Sequence, residues 1–199
     1  MAEYRLRTPV TEEQVRKLKV GDVVYLDGII ITGRDQVHRR ALELASKGEK
    51  DKVPVKLEGM ALYHCGPIVG KVDGEWKIYG FGPTTSARME SVEADFIREF
   101  GVRLIIGKGG LFERTTQGMK EYGAAYLAYP GGVSVLATNA VKRVVDVHWL
   151  DLGVPEAMWV VEVENFGPTM VAIDSHGNNL FLDVLQNVKK KAEEIKAKI

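Results

Sequence analysis

The sequence predicts an α/β fold in which a parallel and an antiparallel set of strands share a core. Three observations point there. β-branched and apolar runs come first, at residues 22–26, 28–32 and 60–64. Helix-like and strand-like patterns then alternate between residues 83 and 128. Strand-like runs return at 158–163 and 169–173.

Element by element, residues 11–18 read as a short helix capped by Thr11. The runs 22–26 and 28–32 are split by Asp27-Gly28, a pair that favours a hairpin turn. Asp35 stands where a helix N-cap belongs. Val37, Ala41, Leu44 and Ala45 then recur at helical spacing, and Lys47-Gly48 ends the run. Residues 48–58 read as a charged loop, and 68–71 with 75–81 as a hairpin around Val72-Asp73-Gly74. In GPTTSARMESVEADFIREF, Thr84, Thr85 or Ser86 can cap a helix. Its apolar face is Met89, Val92, Phe96, Ile97 and Phe100, and Gly101 closes it. Residues 102–106, apolar apart from Arg103, read as a strand covered on both faces. A helix over 115–122 and a strand over 124–128 follow, and the pattern blurs after Pro130-Gly131-Gly132. Residues 181–199 read as a C-terminal helix with a polar, mixed-charge end, and residues 1–199 as one domain.

Composition narrows the function. A chain of 199 residues, 45% hydrophobic, can bury about 70% of its unfolded surface in a core. Its 27 basic and 27 acidic residues cancel, which argues against nucleic acid and against a membrane surface as partners. MAEYRLRTPVTEEQ has no apolar stretch behind its basic residues, so no signal peptide is expected there. The single cysteine, Cys65, rules out an internal disulfide, suggests a reducing cytoplasmic setting, and cannot by itself hold an iron–sulfur cluster.

Three segments concentrate polar residues just after a strand: Arg34-Asp35-Gln36-Val37-His38, Gly82-Pro83-Thr84-Thr85-Ser86-Ala87-Arg88, and Gly107-Lys108-Gly109-Gly110. In open α/β sheets ligands bind outside the carboxyl ends of strands. The first two segments are expected to open helices, whose free N–H groups attract anions. With Arg34, Arg88 and Lys108 added, the inventory suits a small dianion, a phosphate or a dicarboxylate. Nucleotide motifs fail: Val102 replaces the first glycine of a phosphate loop, and Gly80-x-Gly82 and Gly107-x-Gly109 both lack the third glycine of a dinucleotide fingerprint. His38 falls in a first helical turn beside these groups, where it can act as acid or base, hydrogen-bond a substrate, or only cap. His64, His148 and His176 have no companion at metal-ligand spacing and are read as structural. Cys65 is read as an inert core thiol.

Together GRDQVHRR, YHCGPIV, GPTTSARM, GKGG and DSHGNN resemble the β-subunit, or C-terminal region, of class I fumarate hydratases and L-tartrate dehydratases. The resemblance runs from about residue 20 to about residue 180. It implies a swivelling β/β/α three-layer domain and a partner α-subunit whose cysteines hold a 4Fe–4S cluster with one open iron. It implies reversible hydration of fumarate to L-malate, with L-tartrate dehydration the nearest alternative and mesaconate a further one. It places Arg34, Thr84, Thr85, Arg88 and Lys108 on substrate, and leaves either His38 or Thr84 as the base. Asp35 would orient Arg34 or His38, or cap the helix. A homodimer or a heterotetramer is compatible with it. From another class, a non-catalytic dianion-binding module remains open.

Overall fold

The computed structural model describes residues 1–132 and 134–197. Strand β1 (Glu3–Arg7) leads to helix α1 (Glu12–Arg16), where Thr11 and Gln14 cap each other reciprocally. Strand β2 (Val23–Thr32) follows, with helix α2 (Asp35–Ser46) directly after it. Next come β3 (Ala61–Tyr63) and the hairpin β4 (Ile68–Val72) and β5 (Glu75–Gly80). Helix α3 (Glu93–Phe100), β6 (Leu104–Gly107), α4 (Glu113–Tyr122) and β7 (Ala125–Ala128) form the alternating middle of the chain. Helix α5 (Ser134–Asn139), β8 (Val141–His148), the long β9 (Met158–Ile173) and α6 (Leu180–Lys196) complete it. Among the described residues no helix is long and apolar enough to cross a membrane.

The fold is α/β, and its parallel and antiparallel strands belong to one seven-stranded sheet ordered β1-β2-β3-β6-β7-β9-β8. β1, β2, β3, β6 and β7 are mutually parallel. β9 runs antiparallel to β7 and β8, and also pairs with β2, so the sheet rolls and closes through β9. Alternation along the strands then makes two cores. Inside the roll lie Leu26, Tyr63, Ile106, Trp159, Val161 and Phe166. On its outer side Leu62, Ile105 and Tyr126 meet Val37, Phe96 and Met119 of the helices. Two β walls and a helical layer result.

Four expectations need correction. Asp27-Gly28 is not a turn: β2 runs through it, with register shifts against β9 on either side of Leu26. Gly28 has φ +95°, and it sits where β2 exchanges β1 for β3 as its neighbour. Thr8 Oγ1 bridges the irregularity, accepting from Ile29 N at 2.7 Å and donating to Ile29 O at 2.6 Å. The single helix expected from residue 84 is instead an extended Thr84-Thr85, a 3-10 turn at Ser86–Met89, and then α3. The runs at 158–163 and 169–173 are the two ends of β9. The helix cap expected of Asp35 falls to Arg34, whose side chain makes no capping bond, and Asp35 is the first helical residue.

Candidate active site

The polar segments gather at the carboxyl ends of the parallel strands. β2 ends at Thr32 and gives Arg34, β3 ends at Tyr63 and gives His64, and β6 ends at Gly107 and gives Lys108. The extended Thr84-Thr85 lies between the last two. Thr84 N donates to His64 O at 2.6 Å, Lys108 N donates to Thr84 O at 3.2 Å, and Ser86 N donates to Lys108 O at 2.9 Å. Arg88 then reaches back to Asp35 and pairs with its carboxylate, tying the 3-10 turn to α2. Arg34 is fitted beside Gly66, where an added Cβ would lie 2.5 Å from Nη1 and 2.7 Å from the Pro155 carbonyl oxygen. Thr85, Lys108, Gly109, Tyr129, Pro130 and Gly131 line an open depression of about 440 Å³. Arg34, Thr84, Thr85, Arg88 and Lys108 thus belong to adjoining segments at one end of the sheet.

The start of α2, expected to take the anion, is occupied by one of the chain's own carboxylates, and so is the start of α4. Gln36 N, in the first turn of α2, donates to Glu156 Oε2 at 3.1 Å, and Arg34 Nε lies 3.1 Å from Glu156 Oε1. That second approach is angled, so Nε lacks a well-directed hydrogen bond. At α4, Glu90 accepts from Phe112 N at 2.7 Å, Thr115 N at 3.2 Å and Thr115 Oγ1 at 2.8 Å. The segment at residues 82–88 opens no α-helix. Cationic side chains and hydroxyls, rather than helix dipoles, remain as the means of holding an anion. Lys108 Nζ has no carboxylate within ion-pair distance among the described residues, and Arg88 is 45% exposed beside Asp35.

His38 sits behind this surface, fully buried, with its ring against Phe96 at 4.5 Å between centroids. Its Nδ1 lies 2.8 Å from Arg34 O, and its Nε2 lies 3.4 Å from Glu93 Oε2. His64 is also fully buried and brings its Nε2 to 2.9 Å from the same oxygen. Both approaches are off the N–H axis. Burial pulls both imidazoles down and Glu93 pulls them up. The balance raises His38 above the ordinary histidine value and lowers His64 below it. Burial works against the Glu93 carboxylate, but the two histidines outweigh it and hold it down to about 2.

His64 therefore does have companions: the donor atoms of His38, His64 and Glu93 lie within 4.8 Å of one another. Two ligands around a tetrahedral zinc ion keep roughly 3.3 Å apart. The 3.4 Å approach of His38 is close to that separation and the 2.9 Å approach of His64 is shorter, the distance of an ion pair between a ring nitrogen and a carboxylate. Cys65 is fully buried, and burial pushes its thiol well above the ordinary range. One inert thiol does not fit an iron–sulfur cluster in this chain.

Sequence reasoning passed over Glu93, Ser86 and Glu156. Glu93 carried a signal: it stands on the helical face of Phe96, Ile97 and Phe100, where a carboxylate belongs only with partners. Ser86 was weighed only as a cap, yet its Oγ meets His64 Nδ1 at 2.9 Å and Tyr126 Oη at 2.9 Å. A Cβ added at Gly107 would overlap Ser86 Oγ and stand 3.1 Å from His64 Nδ1. Gly107→Ala is expected to lower the unfolding free energy by about 1–3 kcal/mol, read by urea denaturation. A variant as stable as the parent would show that Ser86 moves aside freely.

The family model described as Fumarase C-terminus matches residues 1–184. The chain belongs to the fumarase C-terminus family. It is 45% identical over 188 residues to the L(+)-tartrate dehydratase subunit beta of Escherichia coli, covering 94% of this chain and 90% of that one. It is 46% identical over 187 residues to a Methanocaldococcus jannaschii protein named "Putative L(+)-tartrate dehydratase subunit beta", covering 94% and 95%. A longer Geobacillus stearothermophilus protein, named "Putative fumarate hydratase class I", is 41% identical over 192 residues, covering 96% of this chain and 36% of that protein. This fumarase C-terminus member is thus of the β-subunit type found across the fumarate hydratase and tartrate dehydratase hydro-lyases.

Proposed function

We propose that the chain is the β-subunit of a hydro-lyase for a four-carbon dicarboxylate, reversibly hydrating fumarate to L-malate. Its partner would be an α-subunit that carries a 4Fe–4S cluster. The observation that carries the reading is the placement of Arg34 after β2 and Lys108 after β6, with Arg88 on the 3-10 turn that follows the Thr84-Thr85 segment between His64 and Lys108. The guanidinium groups suit planar carboxylates, and the Thr84 and Thr85 hydroxyls add neutral donors. Thr84 lies among these groups, whereas His38 reaches them only through the Arg34 carbonyl oxygen. Thr84 is therefore the better placed of the two for contact with substrate, and His38 the better placed to hold Arg34. The second reading, L-tartrate dehydration, is favoured by relatives of matching length that are named as tartrate dehydratase β-subunits.

Purified alone, the chain is expected to hold no stoichiometric iron and to show no hydratase activity. An iron assay and the loss of fumarate absorbance test this on the chain, and then on its mixture with a reconstituted cysteine-bearing partner. Stoichiometric iron or fumarate turnover by the chain alone defeats the proposal. A mixture that turns over L-tartrate and leaves fumarate untouched selects the second reading.

A further inference from the structure

Two histidines from different elements converge on one buried oxygen. His38 of α2 and His64, just after β3, both turn Nε2 toward Glu93 Oε2 of α3, at 3.4 and 2.9 Å. The opposite sides of the rings hold the segments that carry the cations. His38 Nδ1 reaches the carbonyl oxygen of Arg34 at 2.8 Å. His64 Nδ1 meets Ser86 Oγ at 2.9 Å, and the His64 carbonyl oxygen accepts from Thr84 N. Ser86 N and Thr84 O in turn grip Lys108.

Donor and acceptor chemistry assigns the protons. A carbonyl oxygen only accepts, so His38 Nδ1 carries a proton, and a second proton on Nε2, 3.4 Å from Glu93 Oε2, would give the buried carboxylate its counter-charge. His38 is then an imidazolium. His64 turns Nε2 toward Glu93, so its Nδ1 is free to accept from the Ser86 hydroxyl, and Tyr126 Oη–H is shared between Ser86 Oγ and the Gly109 carbonyl oxygen, both at 2.9 Å. His64 is then neutral. The groups facing His38 are Glu93 from α3, His64 from beyond β3, and Asp35 with the Arg34 carbonyl from its own helix, with Phe96 the apolar wall. One carboxylate beside two imidazoles supports one extra proton, and a second would set two cations side by side.

We propose that Glu93 is a positioning residue: paired with a protonated His38 and a neutral His64, it clamps the Arg34 segment to the Thr84–Lys108 segment and sets their spacing. The proposal rests on the substrate-holding role given above to Arg34, Thr84, Arg88 and Lys108, but its protonation pattern is independent of that role. A misplacement of about 1 Å at such a site costs about 10²-fold in rate.

The test is ring nitrogen-15 NMR of the full chain at about pH 7.5, above the ordinary histidine value. The expected wild-type spectrum shows both His38 nitrogens protonated and His64 protonated only at Nε2. Glu93→Gln should remove one His38 proton, and Glu93→Asp should keep both. In the assembled enzyme, Glu93→Gln should lower kcat/KM about 10²-fold, with Glu93→Asp recovering most of the loss. A neutral wild-type His38, stoichiometric zinc in the purified chain, or unchanged kcat/KM in Glu93→Gln would overturn the proposal. If Glu93→Gln does not fold, the wild-type spectrum still decides the protonation pattern. Ser86→Ala, which releases His64 while leaving the charges in place, then gives the kinetic result. An assembled wild-type enzyme with the expected spectrum and no dicarboxylate turnover would defeat the proposed function and leave the protonation pattern standing.

Discussion

Glu93→Ala is expected to lower the unfolding free energy of the chain by about 3–5 kcal/mol, the usual cost of removing one partner from a buried ion pair. The carboxylate is fully buried, so solvent screens nothing, and His38 is left without its counter-charge. Denaturation across a pH series reads both the size of the loss and its cause. Glu93 is held down to about 2 from 4.5, so its contribution is present above about 4.5 and is lost as pH falls through about 2. His38 is raised above 6.5, so its contribution is present below 6.5 and is lost as pH rises through the raised value. The difference between wild type and variant should therefore be widest between about 4.5 and 6.5 and shrink on both sides. His64, lowered below 6.5, erodes stability on acidification in both proteins, because unfolding lets it take up a proton. A flat, pH-independent difference would mean that Glu93 acts by packing alone.

Arg88→Met is expected to lower kcat/KM of the assembled enzyme by roughly 10²-fold or more. A charge-assisted hydrogen bond to a carboxylate contributes about 1.5–3 kcal/mol, and the substrate carboxylate is left unpaired as well. Stability should change by less than about 1 kcal/mol, because the Arg88–Asp35 pair is half exposed and screened. Steady-state kinetics and urea denaturation on the same preparation separate the two. Parental kinetics in a correctly assembled variant would remove Arg88 from the substrate site.

The sequence showed the parts of the site more clearly than their connections. Arg34, Thr84, Thr85, Arg88 and Lys108 stood out because cations and hydroxyls follow the runs at residues 28–32, 75–81 and 102–106, and β2, β5 and β6 occupy those runs. The depth of His38 was not legible, since the first turn of a helix can face either way until its neighbours are known. Glu93 disappeared into an apolar helical pattern, because burial of a charge depends on partners brought in by other elements. Glu90 and Glu156 carry no local signal of their role, because the fold sends them to the first turns of α4 and α2. Among the strands, β9 was seen as two because Glu164-Asn165 and Gly167-Pro168 interrupt its apolar alternation. β1 and β8 were missed because their charged residues give short, half-exposed patterns.

The closure of the sheet through β9 also sets an order of events for a chain leaving the ribosome. Every side chain proposed to hold substrate lies between Arg34 and Lys108, and all of them emerge before Met158. Until β9 follows, β2 and β7 each present an edge of unpaired backbone groups, the kind of edge that recruits strands from other chains. The pairs that seal those edges, such as Ile30 with Val161 and Val23 with Met170, join segments far apart in the chain and form slowly for that reason. The nascent protein thus carries its whole complement of ligand-holding side chains on an open, adhesive sheet, and that sheet is sealed only when the last quarter of the sequence arrives.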